Sequence, residues 1–353
     1  MHKHNANGRI ERNKKYLTDL FAGPFPGHAI IMQPEGVESP GPGDVVTTDK
    51  PIGEWADHQL RLYETRLKYT EEIGDDSVPY LSGITGTEVF AAAFGCSVHV
   101  YEDSAPAALP AATTAEEADR LAEPTMDHPV FARWFDFAER LRQKAGTEVP
   151  IGVPDVQSPF DIAALIWRKQ DLFVGLMDTP DAVKRLVDKC GRVMKAFFDE
   201  FMSRFPNINL CHCPYAWAPP ELGIWLSEDE AGSISTNAFA EFCLPWLVDL
   251  SETYGGMFMH SCAAADHQYG NFNRIPNLRG LNRVFQEPGA RPAIEAFSGR
   301  TVLIMAWSDE QAINDILDMA LPDTRFVFNM PAQPLDEAKA TFERLRERCP
   351  RTG

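Results

Sequence analysis

Eight short β-rich runs recur along the chain: Ala29–Met32, Val78–Leu81, Ile151–Val153, Ile208–Cys211, Met257–His260, Gly280–Asn282, Val302–Ala306 and Phe326–Asn329. Most of the gaps between them hold amphipathic helical stretches, namely His58–Ile73, Pro129–Ala145, Thr179–Phe205, Thr236–Tyr254 and Asp309–Leu321. Strand and helix alternating through eight strands predict an α/β fold in which parallel strands close into a ring inside a sleeve of helices, a (β/α)8 or TIM barrel. The 353 residues suit one such domain, 1–353, with an N-terminal helical extension over 1–27 and an insertion over 94–124. Within the insertion, Cys96–Tyr101 alternates like a strand, Ala105–Thr114 is rich in Ala and Pro, and a short helix begins at Ala115.

Charge narrows the partners. With 51 acidic against 33 basic residues the chain carries a formal charge of −18, which repels phosphate backbones and anionic lipid. The one basic cluster, Arg9, Arg12, Lys14 and Lys15, is broken by polar residues and reads as a solvated helical turn. Neither nucleic acid nor membrane is expected as a partner. No window approaches the ~18 consecutive apolar residues of a membrane span, and Met1-His2-Lys3-His4-Asn5 lacks the apolar core of a signal peptide. The expectation is a cytoplasmic protein whose seven scattered cysteines are reduced thiols.

The sharpest chemical feature is His260-Ser261-Cys262, at the end of the apolar run Gly256–Met259. Residues i and i+2 of a strand point the same way, so an imidazole and a thiolate are presented together, which is half of a zinc site. In a barrel this strand end lies on the face where catalysis occurs. Cys211-His212-Cys213 is the nearest source of further ligands: alternation turns either both thiols or His212 alone toward the mouth, and His212 is preferred. The acidic run Glu228-Asp229-Glu230 reads as a solvated face, or as the source of one carboxylate acting as general base or metal ligand. Asp161 stands where an N-cap or a substrate contact is expected. Tyr80, Tyr215, Trp217, Trp225 and Trp307 form an aromatic set near the expected mouth, with Trp217 and Trp225 in the Pro-rich loop around Trp217-Ala218-Pro219-Pro220, where a core role is less natural. Such a set suits a planar small-molecule substrate or the interface of a homodimer.

Several blocks are similar to the uroporphyrinogen decarboxylase superfamily. They are Ser158-Pro159-Phe160-Asp161-Ile162-Ala163, Leu172–Leu176, Asp178-Thr179-Pro180, Phe239–Pro245, His260-Ser261-Cys262 and Leu278-Arg279-Gly280-Leu281-Asn282. The resemblance implies a (β/α)8 barrel and one of two chemistries. The decarboxylase branch uses arginines after the first strand, an aspartate after the second and a histidine after the last. Here those places read Met32-Gln33-Pro34-Glu35-Gly36-Val37, Leu81-Ser82-Gly83 and Asn329-Met330-Pro331-Ala332. The methyltransferase branch carries His-x-Cys after the fifth strand, matched by His260 and Cys262, and a further cysteine after the last strand, where this chain has Asn329-Met330. The resemblance therefore implies a zinc-assisted methyltransferase working with a corrinoid on a separate carrier protein. Two alternatives stand beside it. One is a cofactor-free decarboxylase drawing its cations from Arg168, Arg274, Arg279 and Arg283; the other is a non-catalytic binding barrel.

Overall fold

A computed structural model describes residues 2–23, 27–37, 51–83, 85–102, 104–285 and 289–351, with side chains from Gly8 onward. Among the described residues ten strands are formed: β1 (His28–Pro34), β2 (Ser97–His99), β3 (Ala107–Leu109), β4 (Ile151–Gly152), β5 (Ile208–Asn209), β6 (Ile224–Ser227), β7 (Met257–Ser261), β8 (Leu278–Arg283), β9 (Val302–Ala306) and β10 (Phe326–Gln333). Six of them make one parallel sheet in the order β1-β10-β9-β8-β7-β6. Most of their residues are buried, and β7 and β9 are largely apolar and buried on both faces, as central parallel strands under helices are.

The rest of the ring is held by isolated contacts. Leu81 bridges to Ile151, and Gln157 bridges to Ser227 at the end of β6. Between β1 and residues 75–81 two carboxylates replace ladder bonds: Asp76 Oδ2 accepts from the Ile30 N–H at 2.9 Å, and Asp75 Oδ2 from the Met32 N–H at 2.8 Å. The Asp76 N–H donates back to the Ile30 carbonyl at 3.0 Å. The fold is a (β/α)8 barrel, with β1, 78–81, 151–157 and β6–β10 as its eight staves.

One stave differs from the sequence reading. Residues 208–211 were expected as the fourth strand, but only Ile208 and Asn209 form a strand, and they pair with the two residues of β4 alone. The fourth stave is β6, whose Trp225 is completely buried and stacks on Phe258 at 5.7 Å. Its brevity and the prolines before it conceal it in the sequence. A close crossing sets its start: Gly223 lies at φ 136°, and a Cβ there would meet the Gly256 carbonyl oxygen at 2.1 Å.

The helices form the outer layer and match the amphipathic stretches closely, as in Ile52–Ile73, Pro129–Ala145, Pro180–Arg204 and Glu310–Met319. The expected helix 236–254 is broken at Cys243 into Thr236–Phe242 and Leu244–Tyr254, where Pro245 cannot supply an N–H to the ladder. The N-terminal helix His2–Ala22 packs on the ring through Phe21, edge-on to Phe258 at 5.0 Å. The insertion forms the antiparallel pair β2–β3 and the helix Ala115–Arg120, capped by Thr114. Among the described residues no helix is long and apolar enough to cross a membrane.

Candidate metal centre

The carboxyl ends of β6, β7 and β8 lie in register: Ser227 is opposite His260, and His260 is opposite Asn282. The residues just beyond these ends therefore converge. Asp229, His260 and Cys262 offer one ligand atom each, all within 4.8 Å of one another. His260 Nε2 stands 2.8 Å from Cys262 Sγ, and the Cys262 N–H donates to Asp229 Oδ1 at 2.5 Å. Cys213 Sγ lies 3.9 Å from the same His260 nitrogen.

The imidazole is oriented from behind. Asn282 Nδ2 donates to the Ile304 carbonyl at 2.7 Å, which leaves Asn282 Oδ1 as the acceptor facing His260 Nδ1 at 2.5 Å. Nδ1 therefore carries the proton and the Nε2 lone pair points into the cluster, the tautomer a metal requires. Cys262 is solvent-exposed while His260 is buried, so the cluster has one open side. Burial, together with Asp229 and Asp155, pushes the Cys262 thiol up to about 11. Without a cation this is a protonated thiol beside a carboxylate; a divalent ion would reverse that preference and hold the thiolate. The set of one nitrogen, one sulfur and one oxygen fits zinc, with the exposed side as the fourth position.

The acidic run divides into three roles. Asp161 Oδ2 accepts from the Asp229 N–H at 2.6 Å and Oδ1 from the Glu230 N–H at 3.0 Å, so Asp161 shapes the turn that presents Asp229. The helix cap expected of Asp161 comes from Ser158, whose Oγ accepts the Asp161 N–H. Glu228 is completely buried, not solvated: burial pushes its carboxyl up to about 8 and that of neighbouring Asp161 well above the usual range. Glu230, its side chain only 12% exposed, pairs with Lys169. Only Asp229 joins the ligand cluster.

His212, the expected third ligand, is buried and faces Asp155 at 3.3 Å, outside the three-residue cluster. Burial lowers its imidazole to about 3 and raises Asp155 to about 6. Asp266 and His267, which follow Cys262 closely in the chain, face other partners: Asp266 pairs with Arg283, and His267 Nε2 meets the Ile234 carbonyl at 3.0 Å.

Beside the cluster a cavity of ≈ 500 Å³ is lined by His212, Cys213, Tyr215, Trp307, Asn329, Met330, Arg66 and Gln59, among others. Trp307 is 54% exposed at its rim and holds a left-handed backbone, φ 55°, rare for a large side chain. Tyr215 lies between the Tyr80 ring, stacked at 4.3 Å, and the Arg66 guanidinium, 3.7 Å from its centroid. Tyr80 is buried behind it, its hydroxyl donating to the Cys211 carbonyl at 3.2 Å. Trp217 and Trp225 are core residues, and Trp217 borders a surface groove with Lys14 and Glu221 instead of the mouth. At the last strand, Met330 is buried in the cavity wall, and Asn329 Nδ2 donates to the Tyr215 carbonyl at 2.6 Å. Sequence reading missed Arg66, Gln59 and Asp155. The signal for the first two is polar residues on the buried face of an amphipathic helix.

The uroporphyrinogen decarboxylase (URO-D) family model matches residues 53–204. No curated protein matches the chain. Among solved structures, a methyltransferase from Methanosarcina mazei is similar over 94% of this chain and 98% of its own, with a TM-score of 0.66 and 15% identity. At that identity the likeness speaks for the fold. The uroporphyrinogen decarboxylase family pattern thus covers residues 53–204, and the likeness to the solved methyltransferase carries the barrel fold over 94% of the chain.

Proposed function

We propose that the protein is a zinc-assisted methyltransferase, moving a methyl group between a small methylated substrate or thiol and a corrinoid held by a separate carrier protein. The observation that carries this reading is the Asp229–His260–Cys262 cluster, one side open, at the carboxyl end of the barrel. Bound zinc would supply Lewis acidity, keeping a substrate thiol or a departing oxygen anionic at neutral pH. The chain's own contribution is geometric. Asn282 fixes the His260 tautomer, Asp161 holds the turn that aims Asp229, and the ≈ 500 Å³ cavity places a small molecule beside Cys213 and the cluster.

The decarboxylase alternative requires cations at the mouth. The cation that lines the cavity is Arg66, whereas none of Arg168, Arg274, Arg279 and Arg283 does; Arg168 pairs with Asp171, and Arg283 is buried against Asp266, the Tyr269 hydroxyl and the Ala263 carbonyl. The test offers zinc-loaded protein methylcobalamin with small thiols, and cob(I)alamin with methoxyarenes, while following the corrinoid spectrum. Methyl transfer that is lost in Cys262→Ala and in zinc-stripped protein is expected. Rates equal to the stripped protein in both directions would exclude the reading.

A further inference from the structure

The helix Ile52–Ile73 turns two polar side chains into the mouth cavity. Gln59 and Arg66 are seven residues apart, hence on one face, and both line the cavity with Leu62 between them. They are 1% and 7% exposed. Both side-chain polar atoms of Gln59, and Nε of Arg66, are buried without a hydrogen-bond partner among the described residues. A buried polar atom left unpaired is costly, so three such atoms at one cavity wall mark a place where a ligand completes the bonding.

The chemistry of that ligand can be read from the groups. Arg66 is permanently charged, and its plane is fixed against Tyr215, which is itself backed by Tyr80. A fixed guanidinium N–H and an amide N–H presented together match the oxygens of a carboxylate. Trp307, exposed at the rim on a left-handed backbone, supplies a flat apolar wall, and Met330 and Leu62 supply further apolar surface.

We infer that Gln59 and Arg66 form the anion subsite for a small planar carboxylate whose ring lies against Trp307. This names the substrate class of the methyl-transfer reading and rests on that reading for turnover only; binding stands on the cavity wall. Calorimetric titration with 4-methoxybenzoate tests it, with 4-methoxybenzamide as the uncharged probe and cyclohexanecarboxylate as the non-planar one. The expected result is saturable binding of 4-methoxybenzoate, at least about tenfold tighter than either comparison compound. Arg66→Lys keeps the charge but loses the fork, and Gln59→Leu removes the amide at similar volume; each should weaken 4-methoxybenzoate by about tenfold or more. Trp307→Ala, an exposed position tolerant of truncation, should narrow the preference for the planar ring. Binding should persist in His260→Ala, so loss of metal or turnover alone leaves this inference standing. Equal affinity for acid and amide, absence of binding by folded wild type, or wild-type affinity in both Arg66→Lys and Gln59→Leu would overturn it.

Discussion

His260 owes its readiness as a ligand to one residue on the neighbouring strand. Asn282 takes the Nδ1 proton because its own amide is committed to the Ile304 carbonyl. Asn282→Ala should therefore leave the fold intact and weaken zinc binding by about 10–100-fold, as read by competition with a chelating dye. Glu228 makes a separate prediction. Its folded pKa, about 8, lies above the ordinary 4.5 because the carboxyl is buried. The native state thus holds a proton that the unfolded chain releases, and this contribution is fully present below pH 4.5 and is lost as pH rises through about 8. Glu228→Gln, permanently neutral, should flatten the fall in stability over that window and raise the denaturation midpoint at pH 8.5 relative to wild type. Identical pH profiles for the two proteins would show that Glu228 does not bind the proton.

At the scale of elements, the site depends on where β6 and β7 begin. Gly223 and Gly256 let the two chains cross with backbone in contact, and a Cβ on Gly256 would meet the Leu222 carbonyl oxygen at 2.2 Å. Gly223→Ala should cost several kcal/mol, on the order of 3 or more, because backbone must move and φ 136° disfavours alanine; urea denaturation measures it. Asp76→Ala opens the seam beside β1, removing the acceptor for the Ile30 N–H and the ion pair with Arg346, and should cost about 3 kcal/mol by the same measurement. Much of this architecture was legible: strand and helix periodicity places seven of the eight staves and five of the outer helical stretches, one of them broken at Cys243. The fourth stave was not, since Ile224–Ser227 is four residues long behind Pro219 and Pro220, while Ile208–Cys211 has the more strand-like composition. That displacement also hides Asp229, which reaches His260 only because Ser227 pairs with it. His260 and Cys262 were legible because i, i+2 spacing is local, whereas which acid joins them depends on a register between strands that no local pattern carries.

Across the whole molecule, the barrel gathers at one rim what the chain scatters over 270 residues from Gln59 to Asn329: a fixed cation, an aromatic wall, the half-buried thiol of Cys213 and a three-donor cluster. The formal charge of −18 sets the long-range field against anions, so an anionic ligand gains its affinity inside the cavity and not by steering. If Asp229, His260 and Cys262 together hold a divalent metal, the metal content of the protein follows those three side chains. Wild type, Asp229→Ala, His260→Ala, Cys262→Ala and His212→Ala are each loaded with zinc, passed through a desalting column and measured by elemental analysis. Near-stoichiometric zinc in wild type and His212→Ala, with loss in the other three, is the predicted result; no zinc in wild type, or zinc lost with His212 and kept without Asp229, would contradict it.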